Sequence, residues 1–236
     1  MSAVNRLRRV GHKGADLIAP GNTLASFDAA LEAGVDMIEF DVLPDTTTGQ
    51  LLLAHDHHDA ARRTPNTLEE GLAHLASGRF AGVELDVDLK LPGYEREVLS
   101  ALRSHDLLAR TLISSQYRSS LRLIRSSTPE VRLGWSVPKL RRDPFRSPVM
   151  AVPAFVALRA LRVLLPRSAA RALSSGLCDA LMVHWRLVTP RLARAVQRAG
   201  GELYVWTVDE VGLLRTMEGL GVTGVITNDP RLFTET

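Results

Sequence analysis

Apolar, β-branched segments recur along the chain with helically periodic segments between them, and this alternation sets the expected architecture. Strands are predicted at 7–11, 35–42, 83–89, 111–115, 131–135, 180–184, 203–207 and 224–227. Helical patterns fill the gaps at 23–33, 68–77, 94–105, 118–126, about 153–174, 190–199 and 209–220. Several open on capping residues or a first-turn proline: Asn22 with Thr23, Thr67 ahead of Glu70, Thr189 with Pro190, and Asp209. Several close on glycine, at Gly34, Gly78, Gly200 and Gly221. Eight strands alternating with helical segments predict a parallel (β/α)8 TIM barrel of class α/β, forming a single domain over 1–236. A doubly wound open sheet is the alternative. In a barrel the polar residues at strand C-termini are the ones to inspect, because sites form where strands pass into loops.

Composition narrows the setting. The 236 residues are 45% hydrophobic and 23% charged, the balance of a globular protein, and no run of about 18 uncharged apolar residues suits a membrane-spanning helix. A lone cysteine, Cys178, excludes an internal disulfide, and the first nine residues lack a signal peptide's apolar core, so a reducing, cytoplasmic setting is expected. Cys178 adjoins an apolar run and has no histidine beside it, which reads as a packing thiol rather than a nucleophile. The net charge of +3 rests on 29 basic residues, of which only Lys13, Lys90 and Lys139 are lysine. Along the whole chain the basic residues are interspersed with 26 acidic ones, and no aromatic-rich basic segment accompanies them, so no nucleic-acid partner is expected.

The candidate chemistry lies at three strand ends. Glu39 and Asp41 stand two apart on the second strand and so share a face. Two carboxylates at one barrel mouth repel each other unless a cation lies between them, which favours a hard divalent ion. On the third strand Glu84, Asp86, Asp88 and Lys90 alternate with apolar residues, and the outer pair, Asp88 and Lys90, is expected at the mouth. Asp86 then requires either a wet, ionic interior or a strand that starts later. His12 follows the first strand between Gly11 and Gly14, which allow backbone to approach a ligand closely. The tract from His55 to Asp59 lacks the spacing of a zinc β-lactamase site, and its His57 and His58 read as solvated loop residues, as His74 and His105 read as solvated helix positions.

Taken in order, these stretches resemble the glycerophosphodiester phosphodiesterases. The matching segments are His12-Lys13-Gly14, Pro20-Gly21-Asn22-Thr23, 34–42 with Glu39 and Asp41, His55-Asp56, Asp88-Leu89-Lys90, Trp206 to Asp209, and 224–230. The resemblance implies metal-dependent hydrolysis of glycerophosphodiesters, glycerophosphocholine, glycerophosphoethanolamine or lysophospholipid. It implies Mg2+ or Ca2+ held by Glu39, Asp41 and Asp88, His12 and His55 as acid/base pair, and Lys13, Lys90 and Trp206 on phosphate and substrate. Unperturbed imidazoles suit both proton transfers at neutral pH.

Three departures from the family pattern keep other readings open. Lys13 stands for an arginine, Asp88 for a glutamate, and Gly21 for an acidic residue, which takes one carboxylate from the mouth. The alternatives are a non-catalytic relative that binds a phosphorylated ligand, and a phospholipase D acting on sphingolipid, whose family shares the barrel. One segment bears on substrate choice: 149–165 is almost all apolar, interrupted by Pro153, Arg159 and Arg162, with Arg167 and Arg171 beyond. It reads as an outer-ring helix with a long connection, or as a basic amphipathic element making peripheral membrane contact through 149–171.

Overall fold

Eight parallel strands close on themselves in the computed structural model, which describes residues 6–137 and 148–234. In chain order they are β1 (Arg8–Gly11), β2 (Met37–Pro44), β4 (Glu84–Leu89), β5 (Thr111–Ser115), β6 (Arg132–Val137), β7 (Ala180–His184), β8 (Glu202–Trp206) and β9 (Gly224–Thr227). Closure comes from β1, which pairs with β9 on one side and β2 on the other. The predicted (β/α)8 barrel is therefore present, and the open sheet is excluded.

The helices α1 (Leu24–Glu32), α3 (Leu68–Leu75), α4 (Glu95–Ser104), α5 (Arg118–Ser127), α6 (Pro148–Ser174), α7 (Pro190–Arg198) and α8 (Val211–Gly219) form the outer ring. After β9 a short 3-10 turn, Pro230–Thr234, stands where an eighth helix would be. Period-2 alternation divides the buried side chains into two layers. Leu85, Val87 and Leu89 of β4 join the large layer between strands and helices. Val10, Met37, Leu112, Met182, Tyr204 and Ile226 fill the narrow barrel interior. At the N-terminal end of the strands that interior is plugged by ions: Glu84 accepts from Arg8 and from Arg132, and Arg132 also reaches Glu202 at 2.8 Å.

Several local expectations change. A ninth strand, β3 (Leu51–Leu53), adds to β2 in antiparallel register, and its three residues are too few to show alternation. His57 and His58 open a helix, α2 (His57–Arg62), rather than a loop, because the Asp56 side chain accepts from Asp59 N and caps it. Helix α3 ends before Gly78, which begins a 3-10 turn instead of closing the helix. Asp209 does not cap α8; its carboxylate is engaged elsewhere, as described below. Cys178 is buried and its thiol is pushed up to about 12 by burial, which suits packing. Among the described residues no helix is long and apolar enough to cross a membrane. Lys139 and the side chains at 148–154 and 156 lie outside the described residues.

Candidate active site

The C-terminal ends of the strands surround a cavity of about 240 Å3. Its lining includes His12, Glu39, His55, Asp88, Lys90 and Trp206. Strand register explains the acidic part. Glu39 pairs with Asp86 and Asp41 with Asp88 across β2 and β4, so four carboxylates stack in two layers facing the interior. Oxygens of Glu39, Asp41 and Asp88 lie within 4.8 Å of one another. That spacing suits one hard divalent cation, and the buried Asp88 Oδ1, which has no hydrogen-bond partner among the described residues, is an oxygen such an ion would use. The shorter Asp88 thus still reaches the other two acids.

Lys90 is the cation among these acids: its Nζ sits 2.5 Å from Asp41 Oδ1 and 2.5 Å from Asp88 Oδ2. The charges sort accordingly. Burial, and then the neighbouring Asp41, pushes the Glu39 carboxyl well above its ordinary value. Burial would raise Asp41 too, but Lys90 together with His55, Lys13 and His12 outweighs it and holds Asp41 low; burial would lower Lys90, but the carboxylates of Asp41, Asp88 and Glu39 raise it. Asp86 is 1% exposed and burial pushes it up to about 8. Since β4 begins at Glu84, a late start does not explain Asp86; the carboxyl lies inside the barrel and faces the cavity floor.

His12 sits on a sharp turn after β1. The flanking glycines serve the chain's approach to itself rather than to a ligand. A Cβ on Gly11 would lie 2.1 Å from Gly14 O, and Gly14, at φ 85°, would put one 2.5 Å from Ser26 Oγ. His12 Nδ1 faces Asn228 Oδ1 at 2.5 Å, and Asn228 Nδ2 donates to Asp209 Oδ2 at 2.7 Å. A carboxylate only accepts, so Asp209 fixes the amide with its oxygen toward His12, and Nδ1 must donate. His12 Nε2 is left as a bare acceptor on the cavity side, 3.9 Å from Glu39 Oε2. Burial, with the nearby Lys13, lowers His12 to about 4, so the imidazole is neutral at pH 7. His55 stands exposed on the other edge, its Nδ1 3.3 Å from Asp56 Oδ2 and its backbone N bonded to Asp59.

Of the two remaining expected residues, one reaches the cavity and one does not. Trp206 lines the cavity and meets His184 edge-on at 5.1 Å between ring centroids. Lys13 does not line it: the Nζ turns to Asp16 Oδ2 at 3.5 Å, while the Lys13 backbone N donates to Glu39 Oε2 at 2.8 Å. Gly21 explains the detour. A Cβ there would lie 2.5 Å from Asp16 Oδ1, so the Asp16 carboxylate fills the space a side chain at 21 would take, and accepts from Gly21 N. A carboxylate, that of Asp16, thus stands where a side chain at 21 would be, beside Lys13 and outside the cavity lining. Asn22 is 1% exposed, donates to Asp41 Oδ2 at 2.8 Å and accepts from Asp41 N. Thr23, in a capping box with Ser26 and without Asn22, caps α1.

Asn228, Asp209, Asn22 and Asp16 are the residues that sequence reasoning did not single out for the site. Asn22 and Asp209 read as helix-capping residues, Asn228 lay inside a matching segment without a role of its own, and Asp16 carried no signal.

An acidic triad and two imidazoles stand together at the C-terminal mouth of a closed (β/α)8 barrel, where the sites of such barrels form. The family model described as the glycerophosphoryl diester phosphodiesterase family matches residues 12–67 and 90–232, and the chain belongs to that family. A glycerophosphodiester phosphodiesterase of Caldanaerobacter subterraneus is 26% identical, with 94% of this chain and 93% of that one aligned. The fold matches a solved glycerophosphodiester phosphodiesterase of Agrobacterium tumefaciens at TM-score 0.71 and 19% identity, covering 98% of this chain and 100% of that one. It also matches an Oleispira antarctica phosphodiesterase in complex with the product sn-glycerol-3-phosphate, at TM-score 0.70, 20% identity and 97% and 96% coverage.

Proposed function

We propose that this chain hydrolyses glycerophosphodiesters to an alcohol and sn-glycerol 3-phosphate, using a divalent cation, Mg2+ or Ca2+, with Glu39, Asp41 and Asp88 as its ligands. The observation that carries this reading is the convergence of Glu39, Asp88 and both imidazoles on one cavity, with an oxygen of the buried Asp41 within 4.8 Å of the other two acids. When bound, the ion supplies positive charge to offset the non-bridging phosphate oxygens. His12 Nε2 takes the proton from the attacking oxygen, since Asn228 holds the tautomer with that lone pair free. His55, on the other edge, returns a proton to the leaving alkoxide. Lys90 adds charge beside the phosphate, and Trp206 forms a wall for the substrate. Lys13 acts indirectly, through Glu39 and Asp16, rather than as a phosphate fork.

At about 240 Å3 the cavity lies below the usual range of drug-sized pockets, so it takes a glycerophosphate head and leaves any acyl chain outside. Glycerophosphocholine, glycerophosphoethanolamine and a lysophospholipid therefore form the substrate panel. Turnover is measured with Mg2+, with Ca2+ and with EDTA. The reading requires metal-dependent release of choline or ethanolamine together with a linear phosphomonoester. A cyclic phosphate would instead support the sphingolipid-type phospholipase D alternative, and ligand-induced thermal stabilisation without turnover would support the binding-only relative.

A further inference from the structure

The mixing of charge over the whole chain does not hold locally. Residues 118–201 carry 16 basic and three acidic side chains, while the rest of the chain carries 13 basic and 23 acidic ones. The basic segment spans three neighbouring outer elements, α5, α6 and α7, and so covers one side of the barrel. Helix α6 has 27 residues, about 40 Å of helix, against about 14 Å for nine-residue α7. Its C-terminal half packs into the core through Leu165, Ala169, Ala172 and Leu173. Arg162 Nε donates to Arg186 O in the turn after β7, which pins that residue at the level of the mouth. The preceding 14 residues, about 20 Å of helix, lead away from this pin on the mouth side, with Leu158 still packed against the core.

This outward part is apolar as well as basic: Phe155 and Leu161 are 52% and 39% exposed, with Arg159 stacked over the Phe155 ring, and the apolar surface continues at the level of the mouth through Val163 and Leu164, 57% and 58% exposed. Leu17 and Ile18, on the turn after β1, add two more exposed apolar side chains, and Leu17 N is tied to Asn228 O at the same mouth. Exposed apolar side chains interleaved with arginines, on a helix without a carboxylate, match a bilayer interface bearing anionic lipid. A second copy of the chain would set this strongly basic face against itself, and nucleic acid would leave the aliphatic residues without a use.

We propose that the barrel mouth docks on an anionic lipid surface, with the outer part of α6 lying among the headgroups. This goes beyond the hydrolytic reading and stands without it, since docking is read with no turnover. The full-length chain in magnesium buffer is sedimented with phosphatidylcholine vesicles that contain, or lack, about a third phosphatidylglycerol. Binding at least about tenfold stronger to the anionic vesicles, weakened by high salt, is expected. The Val163→Asp/Leu164→Asp double variant should lose about tenfold in binding while keeping its melting temperature and its activity on a soluble diester. Leu161→Gln serves as a milder variant should the double one fail to fold. Equal binding to both vesicles, no binding, vesicle binding unchanged in folded variants, capture of duplex DNA in place of vesicles, or self-association through this face would each overturn the proposal.

Discussion

The side-chain oxygen of Asn228 lies 2.5 Å from Nδ1 of His12, a contact between the last strand's end and the first. It is backed by Asp209, which accepts from both the Asn228 backbone N and its amide. The three residues form an ordered line, Asp209 to Asn228 to His12, that holds one imidazole in one tautomer.

Replacing Asn228 tests that line. Asn228→Ala frees the ring and should lower kcat about 10- to 100-fold, the usual cost of losing an orienting partner, with KM changed far less. Asn228→Asp adds a negative charge beside the ring. It favours the imidazolium and should move the acidic limb of the pH profile to higher pH. A profile unchanged in Asn228→Asp would mean that His12 is not the base.

Asn22 holds Asp41 through two hydrogen bonds and occupies φ 58°, a left-handed conformation. Asn22→Ala should weaken Mg2+ or Ca2+ binding about 10- to 100-fold in a calorimetric titration. Asn22→Gly relieves the backbone while removing the same bonds, so it should lose affinity to a similar degree but stay more stable than the alanine variant. Wild-type affinity in the glycine variant would show that Asp41 needs no such support.

The space at Gly21 belongs to Asp16. Gly21→Glu alone forces its Cβ against that carboxylate and should cost about 1–3 kcal/mol in denaturant unfolding. Adding Asp16→Ser should recover most of the loss, giving a coupling energy of about 1 kcal/mol or more in the double-mutant cycle. Additive effects would place the two side chains out of contact.

Asp36 illustrates a motif residue with a structural task. It accepts from Arg9 N at 2.8 Å and from two guanidinium nitrogens, between β1 and β2 and away from the cavity. Burial would raise its pKa, but the Arg9 hydrogen bonds outweigh it and hold the carboxyl below the ordinary 3.8. A depressed folded pKa gives stability that is present above the unfolded value and is lost as pH falls through the folded one. Asp36→Asn should therefore cost about 1–2 kcal/mol at neutral pH, and the difference from wild type should shrink below about pH 4. A cost independent of pH would assign the loss to shape instead of charge.

The barrel was legible because its signal is periodic. Alternation at Leu85, Val87 and Leu89, and capping at Thr67 and Thr189, act within a few residues of chain, and so did the pairing of Glu39 with Asp41 and Asp88 with Lys90. The elements that escaped, β3 and α2, are three and six residues long. The supporting residues escaped for a different reason. Asn228 meets His12 across 216 positions of sequence and Asn22 meets Asp41 across 19, and an amide contact of that kind leaves no local pattern. Asp209 looked like a helix cap because an acid before a helix usually is one; here the contact with Asn228 took it.

The central claim, that His12 and His55 together drive cleavage at the acidic triad, is tested most directly by following glycerophosphocholine with phosphorus NMR in the presence of Mg2+. Wild type is predicted to yield sn-glycerol 3-phosphate, and His12→Ala and His55→Ala to slow it about 10²- to 10⁴-fold while each still binds the metal. Either variant turning over at close to the wild-type rate, or a wild type that binds Mg2+ and leaves the diester intact, would contradict it.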